Sequence, residues 1–376
     1  MQNIFLYAST NEEMSLIKGK LMDAFKDLNL LPTFHECIGC EDSFRMAKNS
    51  KFNAYIFFTD RDELDYFSAL LKVIPTPTEK NKRIKLLFEK LPSNYLDAGG
   101  KIIHDAERNY FSVDKNLLNS SKESLASIIK FIFFPPIFFF SYGNEKGKVE
   151  LGNSAREIIE EIELCFKSLF PNITPCKDYT CFEKSSIVEN NLERVAQADY
   201  ILMIINEKFF TSPFCMKEFG LILRLIDKNT SAKKRIEKFN EKVLLITSEK
   251  ADEYMNAQNL QAHPKLRNTW LGTLERTVSH YIDNKGGDEA IAKSITDTIN
   301  IIEDCIPFIR SMGNITRIEF NILKDNGYSD LMLEINKKME NAGYKTFYSD
   351  LHDPELEIIR KSKAFAKIRE MNTIEY

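Results

Sequence analysis

The chain has 376 residues, a length that allows two or three domains, each with its own hydrophobic core. Hydrophobic residues make up 43% of it and charged residues 28%, which excludes a disordered or fibrous protein. With 51 Lys and Arg against 55 Asp and Glu, the formal net charge is −4, so we do not expect a nucleic acid as the main partner.

The N-terminal sequence MQNIFLYAST lacks the basic and apolar regions of a secretory signal, which predicts a cytoplasmic protein. Residues 125–140, LASIIKFIFFPPIFFF, resemble a membrane span. However, Lys130 and the pair Pro135-Pro136 interrupt this run, which is also shorter than the ~20 residues that a spanning helix needs. We expect a helix end, a break and a buried strand here, and no membrane partner.

Seven cysteines, an odd number, are scattered over the chain, which predicts reduced thiols. His35, Cys37 and Cys40 suggest a zinc site, but no second pair of ligands follows at a usable spacing. The five histidines form no pair with the spacing of metal ligands either. We therefore predict that the protein binds no metal.

In residues 1–132, short apolar runs alternate with helical patterns. Strands are predicted at Asn3–Tyr7, Leu31–Glu36, Asn53–Thr59, Arg83–Phe88 and Lys101–His104. Helices are predicted at Asn11–Leu28, near Asp42–Ala47 and at Ser121–Ile132. This order is typical of a doubly wound parallel sheet with helices on both faces.

Residues 134–310 repeat the same order, so we predict two flavodoxin-like α/β domains in tandem. Strands are predicted at Ile137–Ser141, Ile173–Lys177, Tyr200–Ile205 and Lys242–Thr247. Helices are predicted at Ser154–Phe170, from Ser186 to about Ala196, from Ser212 to about Ile226 and at Glu289–Ile309.

Residues 311–376 form a small C-terminal α/β extension in this interpretation. RIEFNIL is read as a strand, followed by a helix near Tyr328–Asn341, the segment YKTFYSD and a charged helix from Pro354 to about Arg369. The pattern stops before a central strand. Two interpretations stay open: a cap on the preceding domain, or half a unit that completes a sheet elsewhere.

The helix that follows the strand Tyr200–Ile205 carries the most informative acidic residue. Its core stripe is formed by Cys215, Phe219, Ile222, Leu223 and Ile226, and Glu218 lies beside this stripe among the apolar residues Phe214, Leu221 and Leu225. Ligands of open α/β sheets bind outside the carboxyl ends of the strands, where such a helix begins. The spacing alone favours a surface glutamate near a helix N-terminus over a catalytic one.

Three segments resemble Toll/interleukin-1 receptor (TIR) domains: FFFSY (138–142), QADYILMIIN (197–206) and FFTSPFCMKEF (209–219). The family pattern S-x-W-C-x-x-E corresponds to residues 212–218, with Phe214 in place of the usual Trp. The resemblance extends from about residue 134 to about residue 250. It implies a TIR domain in the middle of the chain.

What the resemblance implies is cleavage of the nicotinamide–ribose bond of NAD+ by Glu218, with hydrolysis or cyclisation of the product. NAD+ is then a substrate, and no cofactor is expected. A nearby carboxylate suits this reaction because the transition state resembles an oxocarbenium ion. The resemblance places six further residues at the substrate: Ser141, Tyr142, Gly143, Asp178, Ser212 and Phe214.

The resemblance also implies a biological role. Bacterial TIR proteins act in anti-phage immunity and often become active on oligomerisation, so we expect self-association through TIR domains. A defence-system partner protein or a signalling ligand is a further expected partner. The first domain resembles the fold without the motif, because Glu63 and Asp65 lie too close to their strand. It is interpreted as a degenerate TIR-like module for assembly or ligand sensing.

Two alternatives stay open. The first is a non-catalytic TIR adaptor, scaffold or ligand-sensing protein. It is favoured by Phe214 in place of Trp, and by Gly143 and Asn144 where catalytic members often carry a basic residue. The second is an enzyme similar to nucleoside deoxyribosyltransferases, which share the sheet topology and a catalytic glutamate.

Overall fold

A computed structural model gives the structure of the chain. It describes residues 3–38, 43–48, 52–59, 74, 84–91, 102–105, 110–119, 122–142, 155–170, 172–177, 195, 197–225, 232–248, 251, 263–282, 288–309, 317–319 and 328–346. The chain divides into two compact units. The first comprises Met1–Pro135, Leu169–Asn172 and Glu334–Lys363, and the second comprises Pro136–Ser168, Ile173–Leu333 and Ala364–Tyr376.

The first unit is built on a six-stranded sheet. Its strands are β1 (Asn3–Ala8), β2 (Thr33–Ile38), β3 (Ala54–Phe58), β4 (Ile84–Glu89), β5 (Ile102–Asp105) and β6 (Tyr110–Asp114). They lie in the order β2-β1-β3-β4-β6-β5, and all neighbours are parallel except β5 and β6. The central strands are almost continuously buried because helices cover both faces of such a sheet.

Three helices of the first unit are α1 (Asn11–Asp27), α2 (Ser43–Ala47) and α3 (Lys122–Phe133). Helix α1 begins with a capping box: the Thr10 hydroxyl accepts a hydrogen bond from the Glu13 amide, and the Glu13 carboxylate accepts one from the Thr10 amide. Helices α1 and α3 pack edge to face through Phe25 and Phe133, whose ring centroids are 5.4 Å apart.

The run at residues 125–140 has the structure that the sequence predicts. Helix α3 ends at Phe133, a break follows, and a buried strand begins at Phe138. None of the helices in the described part of the chain has both the length and the apolar composition needed to span a bilayer.

The second unit contains a five-stranded sheet in which all neighbouring strands are parallel. Its strands are β7 (Phe138–Tyr142), β8 (Cys176–Lys177), β9 (Tyr200–Ile205), β10 (Val243–Thr247) and β11 (Arg317–Glu319). The spatial order β11-β10-β9-β7-β8 is the flavodoxin-like order 2-1-3-4-5. The predicted doubly wound parallel α/β fold class is confirmed, and the chain reverses its direction across this sheet between β7 and β9.

Helices cover both faces of this sheet. The bounds are α4 (Ala155–Leu169), α5 (Glu207–Thr211), α6 (Pro213–Leu225), α7 (Ala232–Lys242), α8 (His263–Ile282) and α9 (Asp288–Ile309). A further helix, α10 (Ser329–Asn341), begins in this unit and belongs to the first unit from Glu334 on. Phe139 and Met203 point into one core, together with side chains of α5, α6, α8 and α9. On the other face, Phe138 and Phe140 contact Phe166 of α4, with ring centroids 5.0 and 5.7 Å apart.

The structure differs from the predicted border between residues 310 and 311. Strand β11 pairs with β10 through Arg317, Ile318 and Glu319, and thus completes the second sheet as its fifth strand. A sheet edge with unpaired backbone groups is open to such pairing, which sequence patterns do not reveal. The predicted charged helix at Pro354–Arg369 lies outside the described residues.

A buried tyrosine connects the start of α10 to α4. Tyr328 has a left-handed backbone conformation (φ 63°), and its hydroxyl donates a hydrogen bond to Glu161. Burial, and after it the Glu161 carboxylate, raises the pKa of the Tyr328 phenol above its usual value of 10.0. The same two causes raise the pKa of the Cys165 thiol from 9.0 to about 12.

These raised pKa values predict alkaline destabilisation of the second unit. The folded state holds both protons more tightly than the unfolded chain, so the stabilisation is complete below about pH 9. It is lost progressively as the pH rises from 9 towards 12. Urea denaturation between pH 8 and 11 should show a falling free energy of unfolding. Cys165→Ala and Tyr328→Phe should each flatten that slope, and equal slopes in all three proteins would contradict the assignment.

Candidate functional site

The connection from β9 to α6 contains the short helix α5, and a polar side chain caps the start of each of these two helices. The Asn206 side-chain oxygen accepts a hydrogen bond from the Phe209 amide at 2.9 Å, at the start of α5. The Ser212 hydroxyl accepts one from the Cys215 amide at 3.4 Å, and Pro213 is the first residue of α6. This local sequence starts α6 close to the carboxyl end of the sheet.

Helix α6 packs its apolar stripe into the core of the second unit. Cys215, Phe219, Ile222 and Leu223 are all buried there, as the sequence predicts, and Ile226 lies outside the described residues. Glu218 lies beside this stripe and is only 7% exposed. The interpretation of Glu218 as a solvated surface residue therefore does not describe this structure.

Glu218 forms a hydrogen bond with a residue near the carboxyl end of β7, the first strand of this sheet in the chain. Ser141, on β7, is fully buried, and its hydroxyl donates a hydrogen bond to Oε2 of Glu218 at 2.8 Å. Side chains alternate along a strand, so Ser141 shares the face of Phe139, against which α6 packs. A hydrogen bond to a carboxylate in such a buried position is stronger than one between neutral groups.

The Ser141–Glu218 pair lies at the topological switch point of the sheet. Strand β7 carries Ser141, and α6 follows β9, the neighbour of β7. In flavodoxin-like sheets this crevice, at the carboxyl ends of the first and third strands, is where ligands bind. The structure thus holds a buried carboxylate at the position where the fold binds ligands.

The other predicted site residues fall into two groups. Phe214 is half-buried, packs against the same core and precedes Glu218 by one helical turn, and Ser212 is half-buried at the helix start. Tyr142 is buried, but strand alternation directs its side chain to the opposite face from Ser141. Gly143 and Asp178 lie outside the described residues.

The first unit contains a similar pair at a different place in its sheet. Ser112 of β6 donates a hydrogen bond to Glu89 of β4 at 2.6 Å, and both residues are buried. This pair joins β4 and β6, not β1 and β3, where the switch point of that sheet lies. The described strands β1 and β3 contain no acidic residue. The buried Ser–Glu pair thus lies at a different place in each of the two sheets, and residues 60–73, which follow β3, lie outside the described part of the chain.

The described cysteines include three buried free thiols, Cys37, Cys165 and Cys215. Within the described ranges, no group of three or more His, Cys, Asp and Glu side chains could hold a metal ion. Cys37 is a buried free thiol, and Cys40 lies outside those ranges. Cys176 is disulfide-bonded, which differs from the expectation of reduced thiols throughout.

Comparison with known proteins does not identify a family. No family profile and no curated protein matches the chain.

Solved structures give only low-scoring likenesses. A periplasmic solute-binding protein of an ABC transporter from Actinobacillus succinogenes 130z, with bound D-allose, is 14% identical; the match covers 69% of this chain and 83% of that one, with a TM-score of 0.18. A structure described as the XylFII molecule is 12% identical, covering 68% and 84%, with a TM-score of 0.17. The 5-methylthioribose transporter solute-binding protein from Thermotoga lettingae TMO is 10% identical, covering 96% of both chains, with a TM-score of 0.17.

Such scores carry no argument about what this chain binds. The α/β assignment stands on the sheet topology of the two units, and the chain is a protein of doubly wound parallel α/β class.

Proposed function

We propose that the second unit is a TIR-type NAD+ glycohydrolase that cleaves the nicotinamide–ribose bond with Glu218 as its catalytic carboxylate. The observation that carries the proposal is the hydrogen bond from Ser141 to Glu218 at the switch point of the sheet. The resemblance of FFTSPFCMKEF to the TIR motif supports it, because the motif's glutamate corresponds to this same residue.

The chemistry fits a buried carboxylate. When the bond breaks, its electron pair goes to the ring nitrogen and neutralises the positive charge of nicotinamide, so no strong general acid is required. Positive charge develops at C1′ of the ribose, where a carboxylate stabilises it. Water then attacks C1′ to give ADP-ribose, or a ring nitrogen of the adenine attacks it to give a cyclic product, and one proton is released to the solvent in either case.

The neighbours of Glu218 have separate roles in this proposal. Ser141 fixes the orientation of the carboxylate before the reaction, so little reorganisation is required when charge develops. The flat ring of Phe214, one turn earlier on α6, stacks on the nicotinamide. Ser212 starts the helix that carries both residues.

The proposed setting is bacterial anti-phage immunity in the cytoplasm. Assembly through the TIR-like units would switch the enzyme on, and the first unit would sense a trigger or build the assembly.

A direct test incubates the purified full-length chain with NAD+, in dilute solution and with a crowding agent, and quantifies free nicotinamide. Release of nicotinamide in the assembled state is expected. No release under either condition would overturn the proposal.

A second candidate is a non-catalytic TIR scaffold. Its supporting observation is that Glu218 is 7% exposed and bonded to Ser141, because a buried Ser–Glu contact also stabilises packing without chemistry. The pair Ser112–Glu89 is such a contact in the first unit. A scaffold would assemble without releasing nicotinamide.

Replacing Ser141 shows whether its hydrogen bond orients the Glu218 carboxylate for the reaction or only stabilises the packing of the core. Ser141→Ala should lower kcat for NAD+ cleavage by about 10- to 100-fold with little change in KM, because the carboxylate loses its orientation. Ser112→Ala is the matched control, since it removes the same kind of buried bond in the first unit. It should reduce stability and leave kcat unchanged. Equal kinetic effects of the two substitutions would contradict the role of Ser141.

A further inference from the structure

Strand β10 of the same sheet ends in a threonine whose buried hydroxyl forms no hydrogen bond within the described part of the chain. Thr247 is the last residue of β10 and is 1% exposed. Among the described residues, its Oγ1 has no hydrogen-bond partner. Val243 and Leu245 of the same strand belong to the core beneath α6. Alternation along the strand therefore places Thr247 on the sheet face that also carries Ser141.

An unsatisfied buried hydroxyl destabilises a protein, since it loses its hydrogen bonds to water and gains none in return. A valine would have nearly the same shape without this cost. The position therefore calls for a ligand that supplies the missing partner. Thr247 lies at the carboxyl edge of the sheet, as Ser141 does, and this is the edge at which the fold binds ligands.

The strand register shows how far Thr247 lies from Ser141, the hydrogen-bond partner of the Glu218 carboxylate. Met203 of β9 is aligned with Ser141 on one side and with Leu245 on the other. Thr247 is therefore two strands away from Ser141 and two residues nearer the sheet edge, or about 12 Å between Cα atoms. This separation is too long for a group bonded to C1′ of the ribose. It suits a group several bonds away, such as the 5′-phosphate.

We propose that Thr247 is a ligand-binding residue of the Glu218 site, and that its hydroxyl donates a hydrogen bond to the phosphate on the nicotinamide side of NAD+. The inference rests on the proposed function, because it takes Glu218 as the position of C1′. It assigns to β10 a specificity role: recognition of nucleotides over nucleosides.

The test measures binding in a background that does not cleave the ligand. Calorimetry with Glu218→Gln and with Glu218→Gln/Thr247→Val compares nicotinamide mononucleotide with nicotinamide riboside, which lacks the phosphate. We expect the second substitution to raise the Kd of the mononucleotide about 3- to 10-fold and to leave that of the riboside unchanged. Thr247→Ser in the same background should restore the affinity. An unchanged Kd for the mononucleotide, or an equal loss for both ligands, would overturn the inference.

Stability provides an independent readout. Thr247→Val alone should raise the Tm of the ligand-free protein by about 2 to 4 °C, because it removes an unsatisfied polar atom. Thr298→Val is the control. Thr298 is also buried in this unit, at 3% exposure, but unlike Thr247 it has an interaction partner. It should lower the Tm and leave both affinities unchanged. A lower Tm for Thr247→Val would show that the hydroxyl stabilises the ligand-free protein, and would contradict the inference.

These outcomes separate the inference from the proposed function. Wild-type protein that releases no nicotinamide contradicts the glycohydrolase itself. Nicotinamide release together with a mononucleotide affinity that does not depend on Thr247 contradicts only the role of Thr247.

Discussion

Replacing Glu218 by glutamine should lower kcat for NAD+ cleavage by at least about 100-fold. The amide keeps the shape of the side chain and can still accept the hydrogen bond from Ser141, but it carries no negative charge. Stabilisation of the positive C1′ is thereby lost, while the packing of α6 is retained. Initial rates of nicotinamide release at saturating NAD+ measure the effect, and circular dichroism checks that the variant is folded.

The first unit offers a matched control for this substitution. Glu89 is 3% exposed and accepts a hydrogen bond from Ser112, so Glu89→Gln changes a comparable buried carboxyl group. Its kcat should equal that of the wild type. If both variants lose activity alike, the loss reflects general destabilisation and Glu218 has no special role.

Replacing Gly220 by alanine should destabilise the second unit by about 1 to 3 kcal/mol. A Cβ at this position would lie 2.6 Å from Cγ2 of Ile301 and 2.7 Å from its backbone oxygen. The side-chain atom can move aside, but the backbone oxygen moves only if α9 shifts as a whole. The clash therefore outweighs the roughly 1 kcal/mol that alanine gains over glycine in a helix. Urea denaturation gives the free energy of unfolding.

Gly272 on α8 is the control for this effect. A Cβ there would meet nothing within 4 Å, so Gly272→Ala should stabilise the unit slightly through helix propensity alone. Gly220 is only two residues from Glu218, so a shift of α6 should also reduce NAD+ cleavage. Equal stabilities of the two alanine variants would show that α6 and α9 do not require close contact at Gly220.

Buried central strands were the most predictable elements of the fold. The strand predicted at Tyr200–Ile205 has these same bounds in the structure, because an apolar run buried on both faces has a strong sequence signal. Helix α1 and the core stripe of α6 can be predicted equally well, because helical periodicity and capping residues indicate them in the sequence.

Elements with polar or sparse patterns were not predicted. Strand β6 contains Ser112 and Asp114, whose burial depends on contacts formed with neighbouring strands. Helix α8 has a mostly polar sequence, and the available signal was the spacing of four residues between Leu266, Trp270 and Leu274, which are all buried. Tertiary contacts stabilise this helix: the Trp270 indole donates a hydrogen bond to the Phe210 carbonyl at 2.7 Å.

The site was predictable only in its local part. The spacing of Phe214 and Glu218 on one helix follows from the sequence, and so does the position of Ser141 near a strand end. The bond between Ser141 and Glu218 joins residues 77 positions apart and depends on β7 lying beside β9. Such a contact follows from the order of the strands in the sheet, which periodicity does not encode.

The most direct test of the central claim is a crystal structure of the Glu218→Gln protein soaked with NAD+. The proposed function predicts electron density for the nicotinamide riboside moiety at the carboxyl ends of β7 and β9, with C1′ in contact with the side chain of residue 218 and the nicotinamide ring against Phe214. NAD+ bound at another place, or an intact contact between Ser141 and residue 218 with no ligand beside it at saturating NAD+, would contradict it.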